Sequence, residues 1–485
     1  MKQKDFLSFR SISLSEPVID NESARAKVTL EGIEGTSSNF NLQLRYDYDL
    51  DESILPLLRM AFCMPLLNYG LFTERFELQF PISRSDKHLI KEMNRIFSRD
   101  IYVNKILRRR TNYILEEYLT DLDTVKTADA EPRAEIAAES IRSDTVLSSH
   151  VDPTKCGILS SGGKESLLTY GLLKEIGAKV YPFYINESGG HWRTALSAYE
   201  YHKQTDDHTA KVWTNVDRFY NFMLDNLPFI RKDHREVRAD TYPIRLCIFP
   251  FYIFSLLPLF KKHAVGNLLL GSEFDDQRET PRYMGIPHYY GIYDQHQDYD
   301  LLMNAWYEKR IHSMKQWSAL RGISGLIVER VLVKQYPHLA QLQRSCHSCH
   351  LENENVIPCG KCTKCLGVML FLSANHADPK MMNFRTQDID LFEKRLKTSK
   401  LRLDEDEKNH SLYLSGFSSD TQPLYPVDHI EKIHVNKDFC DPFVLPDGFR
   451  KDIYGLLEKY TKGYCVLKNK EWIAIDKENI FKIDI

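Results

Sequence analysis

The sequence predicts an α/β protein built around a doubly wound parallel sheet, with a small N-terminal α+β domain and a small C-terminal appendage. Three observations support this fold class. Residues 156–161 (CGILSS) read as a short buried strand, which leads through a Gly-Gly turn into a helical segment that Gly177 is placed to cap. A second strand pattern, AKVYPFYIN, follows at once, and this order is typical of a right-handed βαβ unit in a parallel sheet. The segment AVGNLLLG adds another buried strand farther along the chain.

The chain divides into four regions by pattern and composition. In residues 1–122, alternating patches such as AKVTLEG predict strands and the amphipathic segment DKHLIKEMNRIF predicts a helix, so we expect an α+β domain. Residues 123–155 are polar and lack large aromatic side chains, which indicates a linker. Residues 156–385 are the expected central domain. Residues 386–485 are charged and end in the strand patterns YCVLKN and EWIAID, which predict a small α/β appendage.

Composition excludes several classes of protein. Of the 485 residues, 43% are apolar and 27% are charged, as in globular chains and unlike disordered or collagen-like ones. The 64 basic and 67 acidic residues give a net charge of -3, so we expect neither nucleic acid nor an anionic membrane as the main partner. The longest apolar stretch, residues 246–260, is too short to span a membrane, and the start MKQKDFLSFRS lacks the apolar core of a signal peptide. We therefore expect a soluble cytoplasmic protein, and a homodimer stays open.

The cysteines indicate a metal site rather than a disulfide framework. Five of the ten lie within residues 346–365, and four of these follow the spacing C-x9-C-x2-C-x2-C: Cys349, Cys359, Cys362 and Cys365. Four thiolates around a glycine turn suit the tetrahedral coordination of zinc, and a site with four thiolates is coordinatively full and therefore structural. Cys346 and His347 are further candidate ligands, and an exchange of Cys346 for Cys349 stays open. A redox pair and five unrelated thiols are the alternatives.

The turn after the first parallel strand has the composition of a phosphate-binding loop. Backbone N–H groups that open a helix lie at the positive end of its dipole, glycines let a phosphate approach them, and Lys164 adds a point charge. The spacing differs from both GxxxxGK[ST] and GxGxxG. A serine-capped Gly-Gly turn without a ligand is the alternative.

This loop resembles the PP-loop, SGGxDS, of the ATP pyrophosphatase superfamily. The matching residues are Ser161, Gly162, Gly163, Lys164, Glu165 and Ser166. The sequence departs from the motif at Glu165, where the family usually has Asp, and the extra methylene moves the carboxylate. The resemblance implies a fold like that of the adenine nucleotide α-hydrolases, with ATP bound on this loop together with Mg²⁺ and cleaved to AMP and pyrophosphate.

Within this superfamily, the cysteine segment and the layout of the chain resemble those of two particular families. The pattern SC-x9-CGxCxxC is similar to that of the cyano-deazaguanine synthases (QueC family), which implies a Zn²⁺ site. The whole layout resembles the MurL-type epimerases of UDP-N-acetylmuramoyl-L-alanyl-L-glutamate, which also carry a domain before the PP-loop. The match covers residues 155–385 well, the N-terminal domain loosely and the last hundred residues hardly at all.

Acidic residues follow the strand that ends at Gly271. Glu273 and Asp275 are expected at the carboxyl edge of the parallel sheet, where ligands bind in such folds. They are candidates to hold magnesium or to move a proton, whereas a solvated acidic loop is the alternative. Lys164 is the candidate to neutralise charge on the leaving pyrophosphate.

Together the residues and the resemblance predict an adenylating enzyme. A substrate carboxylate, from a small molecule or a peptide terminus, would attack the α-phosphorus of ATP, which gives an acyl-adenylate and releases pyrophosphate. Epimerisation of a glutamyl terminus, as the MurL-type layout implies, is one fate of that intermediate. Formation of an amide or nitrile by a QueC-like deazapurine synthase or ligase is another. A catalytically silent ATP-binding scaffold is the opposing class, and Glu165 is the residue that favours it.

Overall fold

The computed structural model describes residues 5–109, 112–148, 150–237, 244–346, 348–353, 355–401, 403–417 and 424–480. His347, one of the candidate metal ligands, lies outside them. Within these ranges, no helix has both the length and the apolar composition needed to cross a bilayer. Contacts between residues divide the chain into two compact units. Unit 1 comprises Met1–Val151, Val212–Ala264 and Thr280–Met314, and unit 2 comprises Asp152–Lys211, Val265–Glu279 and Lys315–Ile485.

Unit 1 contains the N-terminal strands, the end of one later strand and a short antiparallel pair. They are β1 (Phe9–Ser15), β2 (Val18–Asp20), β3 (Ser23–Gly32), β4 (Ser37–Arg45), β5 (Arg75–Gln79), β6 (Ile82–Ser83), β7 (Glu135–Ala138), β8 (Ile141–Arg142), the end of β11 (Ala210–Thr214), β13 (Arg282–Tyr283) and β14 (Ile286–Pro287). The order β11-β4-β3-β1-β5-β7 has antiparallel neighbours as far as β1 and parallel ones from β1 to β7. The alternation of the sequence is confirmed in β3, where Ala24, Ala26, Val28 and Leu30 are buried and their neighbours are not.

The helices of unit 1 include the one that the sequence predicted. They are α1 (Leu55–Cys63), α2 (Arg84–Ile101), α5 (Val216–Asn226), α6 (Phe249–His263) and α7 (Gln297–Arg310). The predicted helix DKHLIKEMNRIF is confirmed as α2, which starts at a capping box formed by Ser83 and Asp86. The predicted linker contains β7 and β8, and β7 extends the sheet by pairing with β5. β7 is the last strand in the sheet order. The polar composition of the linker fits such an edge strand, which keeps one face exposed.

Unit 2 contains four parallel strands, and the sequence predicted three of them, at residues 156–161, 178–186 and 264–271. They are β9 (Asp152–Ser160), β10 (Lys179–Asn186), β12 (Val265–Leu269) and β15 (Lys315–Trp317). Their order is β15-β12-β9-β10, so the first strand has the second strand on one side and the third on the other. The predicted α/β class is confirmed, and this reversal of strand order is compatible with a doubly wound sheet.

The remaining elements of unit 2 surround these strands. The helices are α3 (Lys164–Glu175), α4 (Gly190–Thr205), α8 (Gly325–Gln335), α9 (Pro337–Ala340), α10 (Thr363–Ala374), α11 (Thr386–Asp390), α12 (Phe392–Thr398), α13 (Glu405–Ser415), α14 (Asp447–Leu457) and α15 (Lys477–Ile480). The strands are β16 (His350–Glu352), β17 (Asn355–Ile357), β18 (Ile433–Val435), β19 (Tyr464–Lys468) and β20 (Glu471–Ile475). A single residue, Leu391, separates α11 from α12.

The C-terminal region shares its hydrophobic core with the parallel strands. Ile433, Ile453 and Leu457 belong to the same buried cluster as Trp317 and Leu269. The Phe449 ring also stacks on Trp317, with 5.4 Å between the ring centroids. Residues 386–485 therefore pack as part of unit 2. The boundaries of the two compact units differ from the predicted regions, which were 1–122, 123–155, 156–385 and 386–485.

Candidate functional site

The Gly-Gly turn joins the end of β9 to the start of α3. Gly162 has a φ of +72°, and a Cβ at this position would lie 3.0 Å from the Thr194 carbonyl oxygen. Gly163 is the residue before the helix and has an extended conformation, so a Cβ there would meet only side-chain atoms. The Ser166 hydroxyl donates to the Gly163 carbonyl (3.1 Å). The turn thus brings the six predicted loop residues together at the N-terminus of a twelve-residue helix.

This turn lies at the point where the strand order reverses. In doubly wound sheets, ligands bind in the crevice outside the carboxyl ends of the strands at such a point. Here β9 and β12 are the neighbouring strands, and their ends approach closely. A Cβ at Gly271 would lie 2.6 Å from the Glu165 Cβ and 3.0 Å from its backbone carbon, so only glycine fits there.

Lys164 lies inside the turn and links the two strand ends. Its side chain is 8% exposed, and its Nζ donates to Glu165 Oε1 and to Glu273 Oε2, each at 2.5 Å. Burial lowers the pKa of Lys164, but the two carboxylates outweigh burial and hold that pKa above its usual range. Burial likewise raises the pKa of Glu273 to about 7 despite the attraction of Lys164, and the nearby Glu165 adds to the rise. The ion pair therefore joins the predicted loop to the predicted acidic strand end.

Asp275, the other predicted acidic residue, lies two residues farther along. Its side chain is exposed to solvent, but enough protein surrounds it for desolvation to be the main cause that raises its pKa to about 7. Repulsion from Glu273 and Asp404 adds to that rise. A carboxyl group in this setting can take up or release a proton near neutral pH.

Three further carboxyl groups belong to the surroundings of Lys164, and sequence reasoning missed them. Glu407 accepts a hydrogen bond from the Leu326 N–H (2.9 Å), and burial together with Glu273 raises its pKa to about 8. Burial raises the pKa of Asp404 to about 6 and that of Glu329 to about 7. Asp404 and Glu407 occur in a charged run that is typical of a solvated helix start, so no signal in the sequence distinguishes them.

The cysteine segment forms a compact tetrad. The four Sγ atoms that lie within 4.8 Å of one another belong to Cys346, Cys359, Cys362 and Cys365. The Sγ atoms of Cys359 and Cys365, and those of Cys362 and Cys346, are 3.9 Å apart. Zinc–thiolate bonds of about 2.3 Å in a tetrahedron separate the sulfurs by about 3.8 Å, so the donor set and its size fit a zinc ion.

This tetrad differs by one residue from the predicted set, because Cys346 stands where Cys349 was expected. The N–H groups of Ser348 and Cys359 both point at the Cys346 Sγ, at 3.2 and 3.3 Å. Such N–H donors stabilise a thiolate that binds metal. The carbonyl of Cys349 instead accepts from Arg193 Nη1 (2.9 Å), and the Cys349 Sγ is not among the four that lie within 4.8 Å of one another. The spacing of the cysteines alone does not distinguish Cys346 from Cys349 as the fourth member.

The tetrad is next to the Gly-Gly turn in the fold of unit 2. The Arg344 N–H donates to the Gly162 carbonyl (3.4 Å), two residues before the first cysteine of the tetrad. Arg344 is buried, and its Nε donates to the Val356 carbonyl (2.8 Å) between the cysteines. A metal held by the tetrad would therefore stabilise the segment that supports the Gly-Gly turn. Comparison of the chain with protein-family models, curated proteins and solved structures found no match.

Proposed function

We propose that unit 2 binds ATP on residues 161–166 and transfers its AMP group to a substrate carboxylate. The observation that carries this proposal is the combination of a Gly-Gly turn, a helix N-terminus and a buried lysine at the reversal of strand order. Backbone N–H groups and a fixed positive charge are what a pyrophosphate group requires, and this crevice is where such folds bind ligands.

The reaction follows from the position of these groups. A carboxylate oxygen of the substrate attacks the α-phosphorus, the bond to the bridging oxygen breaks, and pyrophosphate leaves with its electron pair. Lys164 neutralises charge that builds up on the pyrophosphate, and the loop N–H groups bind its oxygens. Glu273 or Asp275 would hold Mg²⁺, which would supply further positive charge for the leaving pyrophosphate. We propose that Zn²⁺ in the tetrad is structural.

The acyl-adenylate can then follow either of two routes. Its activated carbonyl acidifies the neighbouring C–H, which permits epimerisation if a base removes and returns that proton. A nitrogen donor can instead displace AMP and form an amide. Asp275 supports the first route, because it is accessible and its pKa of about 7 suits a general base at neutral pH.

A silent ATP-binding scaffold is the second candidate, and one observation favours it. Both carboxylates beside Lys164 are within hydrogen-bond distance of its ammonium group, and one of them is the Glu165 that replaces the usual aspartate. A lysine held in this way must exchange partners before it can act on a phosphate. A protein that kept the ion pair would bind nucleotide without turnover.

Product analysis separates these functions. Full-length protein is incubated with ATP, Mg²⁺ and single carboxylate candidates, and the nucleotides are identified by mass spectrometry. We expect equal amounts of AMP and pyrophosphate, and a carboxylate labelled with oxygen-18 should pass one label to AMP. Uptake of solvent deuterium next to the carboxyl group would indicate epimerisation, and consumption of a nitrogen donor would indicate ligation. Binding of ATP without cleavage would support the scaffold, and ADP as the product would overturn the adenylation proposal.

A further inference from the structure

Asp276, Asp406 and His429 form a compact cluster of metal-binding side chains in unit 2. One donor atom of each side chain lies within 4.8 Å of those of the other two. The His429 Nε2 is 3.2 Å from Asp406 Oδ2. The three residues come from the loop after β12, from α13 and from the segment between α13 and β18. Tertiary folding therefore brings together one imidazole nitrogen and two carboxylates.

Hydrogen bonds outside this cluster fix which atom of His429 faces Asp406. The His434 Nδ1 lies 3.1 Å from the Gly322 carbonyl oxygen, which can only accept, so this nitrogen carries a hydrogen. In the neutral ring the His434 Nε2 is then an acceptor, and the His429 Nδ1 donates to it (3.0 Å). The His429 Nε2 is thus left with a lone pair aimed at the Asp406 carboxylate, on a side chain only 10% exposed. Two acceptors that face each other in this way require a metal ion or a proton between them.

Arg278 is the cation that the chain itself supplies to the cluster. Its Nη2 donates to Asp276 Oδ2 (2.8 Å) and to Asp406 Oδ2 (2.6 Å), which occupies both hydrogens of that nitrogen. The His429 Nε2 is 3.5 Å from the same nitrogen, so its lone pair receives no good hydrogen bond from Arg278. Among the described residues, no other lysine or arginine lies within ion-pair distance of the two carboxylates. One negative charge of the cluster is therefore left unbalanced.

Asp276 and His429 are held from outside in the way that metal ligands are held. The Trp472 Nε1 donates to Asp276 Oδ1 (2.7 Å), and His429 donates its other ring hydrogen to His434. Such outer partners orient ligating carboxylates and histidines. One imidazole nitrogen with two carboxylate oxygens suits Mn²⁺, Fe²⁺ or Zn²⁺ better than Mg²⁺, and three protein ligands leave room for water.

We propose that Asp276, Asp406 and His429 bind one exchangeable divalent transition-metal ion, at a site separate from the cysteine tetrad. The metal ion takes the place of the Arg278 Nη2 between the two carboxylates, and the Nη1 of Arg278 keeps its contact with the Lys470 carbonyl (3.4 Å). Because the guanidinium competes for the same oxygens, the site binds metal more weakly than the tetrad does. The bound ion joins the loop after β12 to the C-terminal region. No nucleotide takes part, so the site does not rest on the proposed function.

Titration of the full-length, zinc-containing protein with Mn²⁺ in the absence of nucleotide tests the site. Electron spin-echo envelope modulation detects the nitrogen of a histidine bound to Mn²⁺. We expect nitrogen-coupled Mn²⁺ in the parent protein, no nitrogen coupling in His429→Gln, and an affinity lower by about tenfold or more in Asp406→Asn. Glu405→Gln is the matched control, because Glu405 is exposed on the same helix and its variant loses the same charge. Asp406 is partly exposed, so its variant keeps the test valid if His429→Gln unfolds.

The nitrogen coupling also separates this site from the acidic strand end, because Mn²⁺ held by Glu273 or Asp275 has no histidine ligand there. Arg278→Gln should bind Mn²⁺ as tightly as the parent or more tightly, since a competitor is lost, and weaker binding would overturn the competition. A parent protein without nitrogen-coupled Mn²⁺ would overturn the site and mean that a proton joins His429 to Asp406. Nitrogen coupling that persists in His429→Gln would overturn it as well. Failure of the proposed function would show instead as absence of AMP from a protein that binds Mn²⁺ as expected.

Discussion

Gly162 and Gly163 have different structural roles although they are neighbours in the same turn. Gly162 has a positive φ and lies against backbone atoms of α4, so a side chain at this position would be strained. Gly163 has an ordinary extended backbone, and its missing Cβ leaves the space that a phosphate would use. Substitution should therefore affect stability at the first position and ligand binding at the second.

We expect Gly163→Val to abolish ATP binding while the melting temperature stays near that of the parent. Gly162→Ala should instead destabilise the protein by about 1–2 kcal/mol, because a side chain at positive φ is strained and also meets the Thr194 carbonyl. Calorimetric titration with ATP and thermal unfolding of both variants measure the two effects. Unimpaired ATP binding by Gly163→Val would mean that the loop is only a turn.

Glu329 predicts a pH dependence of stability. Burial raises its folded-state pKa from 4.5 to about 7, so the folded state binds a proton that the unfolded state has lost between these two values. The resulting stabilisation is present below the unfolded pKa and is lost as the pH rises through about 7. Glu329→Gln has no titrating group at this position, so its stability does not fall in this way. The free energy of unfolding of the variant relative to that of the parent should therefore rise between pH 5 and pH 8, by up to about 3 kcal/mol. Denaturant unfolding at both pH values without added Mg²⁺ checks this, and an equal difference at both would contradict it.

At the scale of elements, the segment from Arg344 to α10 depends on the tetrad for its structure. The segment makes the contact with the Gly162 carbonyl, and α10 begins where the Cys362 Sγ accepts from the Cys365 N–H (3.4 Å). Its strands β16 and β17 have only three residues each. Short strands contribute little stability of their own, so a metal held by the tetrad would add to the stability of this segment.

We expect one zinc per chain, which Cys346→Ser loses and Cys349→Ser retains. Loss of the metal should lower the melting temperature by about 5 °C or more, because zinc binding contributes directly to folding. Cys362→Ser should behave like Cys346→Ser, since both thiols belong to the tetrad. Metal analysis of the purified variants measures this. Zinc lost from Cys349→Ser and kept by Cys346→Ser would restore the set expected from spacing.

The strand end that carries Glu273 and Asp275 is fixed from its opposite side by the C-terminal strands. Between these two residues, the Phe274 ring stacks on His434 with the centroids 3.5 Å apart and meets Trp472 edge-on at 5.2 Å. The Trp472 N–H donates to Asp276 Oδ1 (2.7 Å). The aromatic contacts thus orient the acidic side chains without touching a ligand.

We expect Trp472→Ala to lower kcat by about tenfold to a hundredfold while the KM for ATP changes little, because Trp472 positions the acidic residues and not the loop. Trp472→Phe keeps the ring contact but loses the hydrogen bond to Asp276, so its rate should be intermediate. Steady-state kinetics with zinc content and melting temperature as controls separates positioning from unfolding. An equal loss of rate in both variants would contradict the role of the ring.

At the scale of the whole molecule, the chain passes between the two compact units several times. The last hundred residues belong to the core of unit 2 through Ile433, Ile453 and Leu457. They also provide the ion pair between Glu431 and Arg330 of α8 (3.2 Å). The C-terminal region is therefore packed into unit 2 by both apolar contacts and charge.

We expect a protein that ends at residue 385 to be insoluble or to unfold without a cooperative transition. Removing the C-terminal region would expose the apolar surface around Trp317, whose burial contributes about 25 cal/mol for each Å². Expression of residues 1–385 beside the full chain, followed by thermal unfolding of the soluble fractions, measures this. A truncated protein with the melting temperature of the parent would show that the region is an independent appendage.

The sequence by itself determined the features that depend on neighbouring residues. The strand, the Gly-Gly turn and α3 follow from apolar runs, glycines and helix capping within about twenty residues. The cysteine spacing was sufficient to predict a cluster of thiols, because its members are close in the chain. The acidic strand end was predictable because parallel strands end at a common edge, and Glu273 does meet Lys164 there.

Only the tertiary structure decided which distant residues join these features. Asp404 and Glu407 reach the surroundings of Lys164 because α13 packs beside the start of α8, and that packing has no local pattern. Cys346 and not Cys349 completes the tetrad, and its Sγ accepts a hydrogen bond from the Cys359 N–H. The strand inside the predicted linker pairs with a strand more than fifty residues away in the sequence. Local propensity acts over a few residues, whereas burial and charge act between all groups that folding brings close.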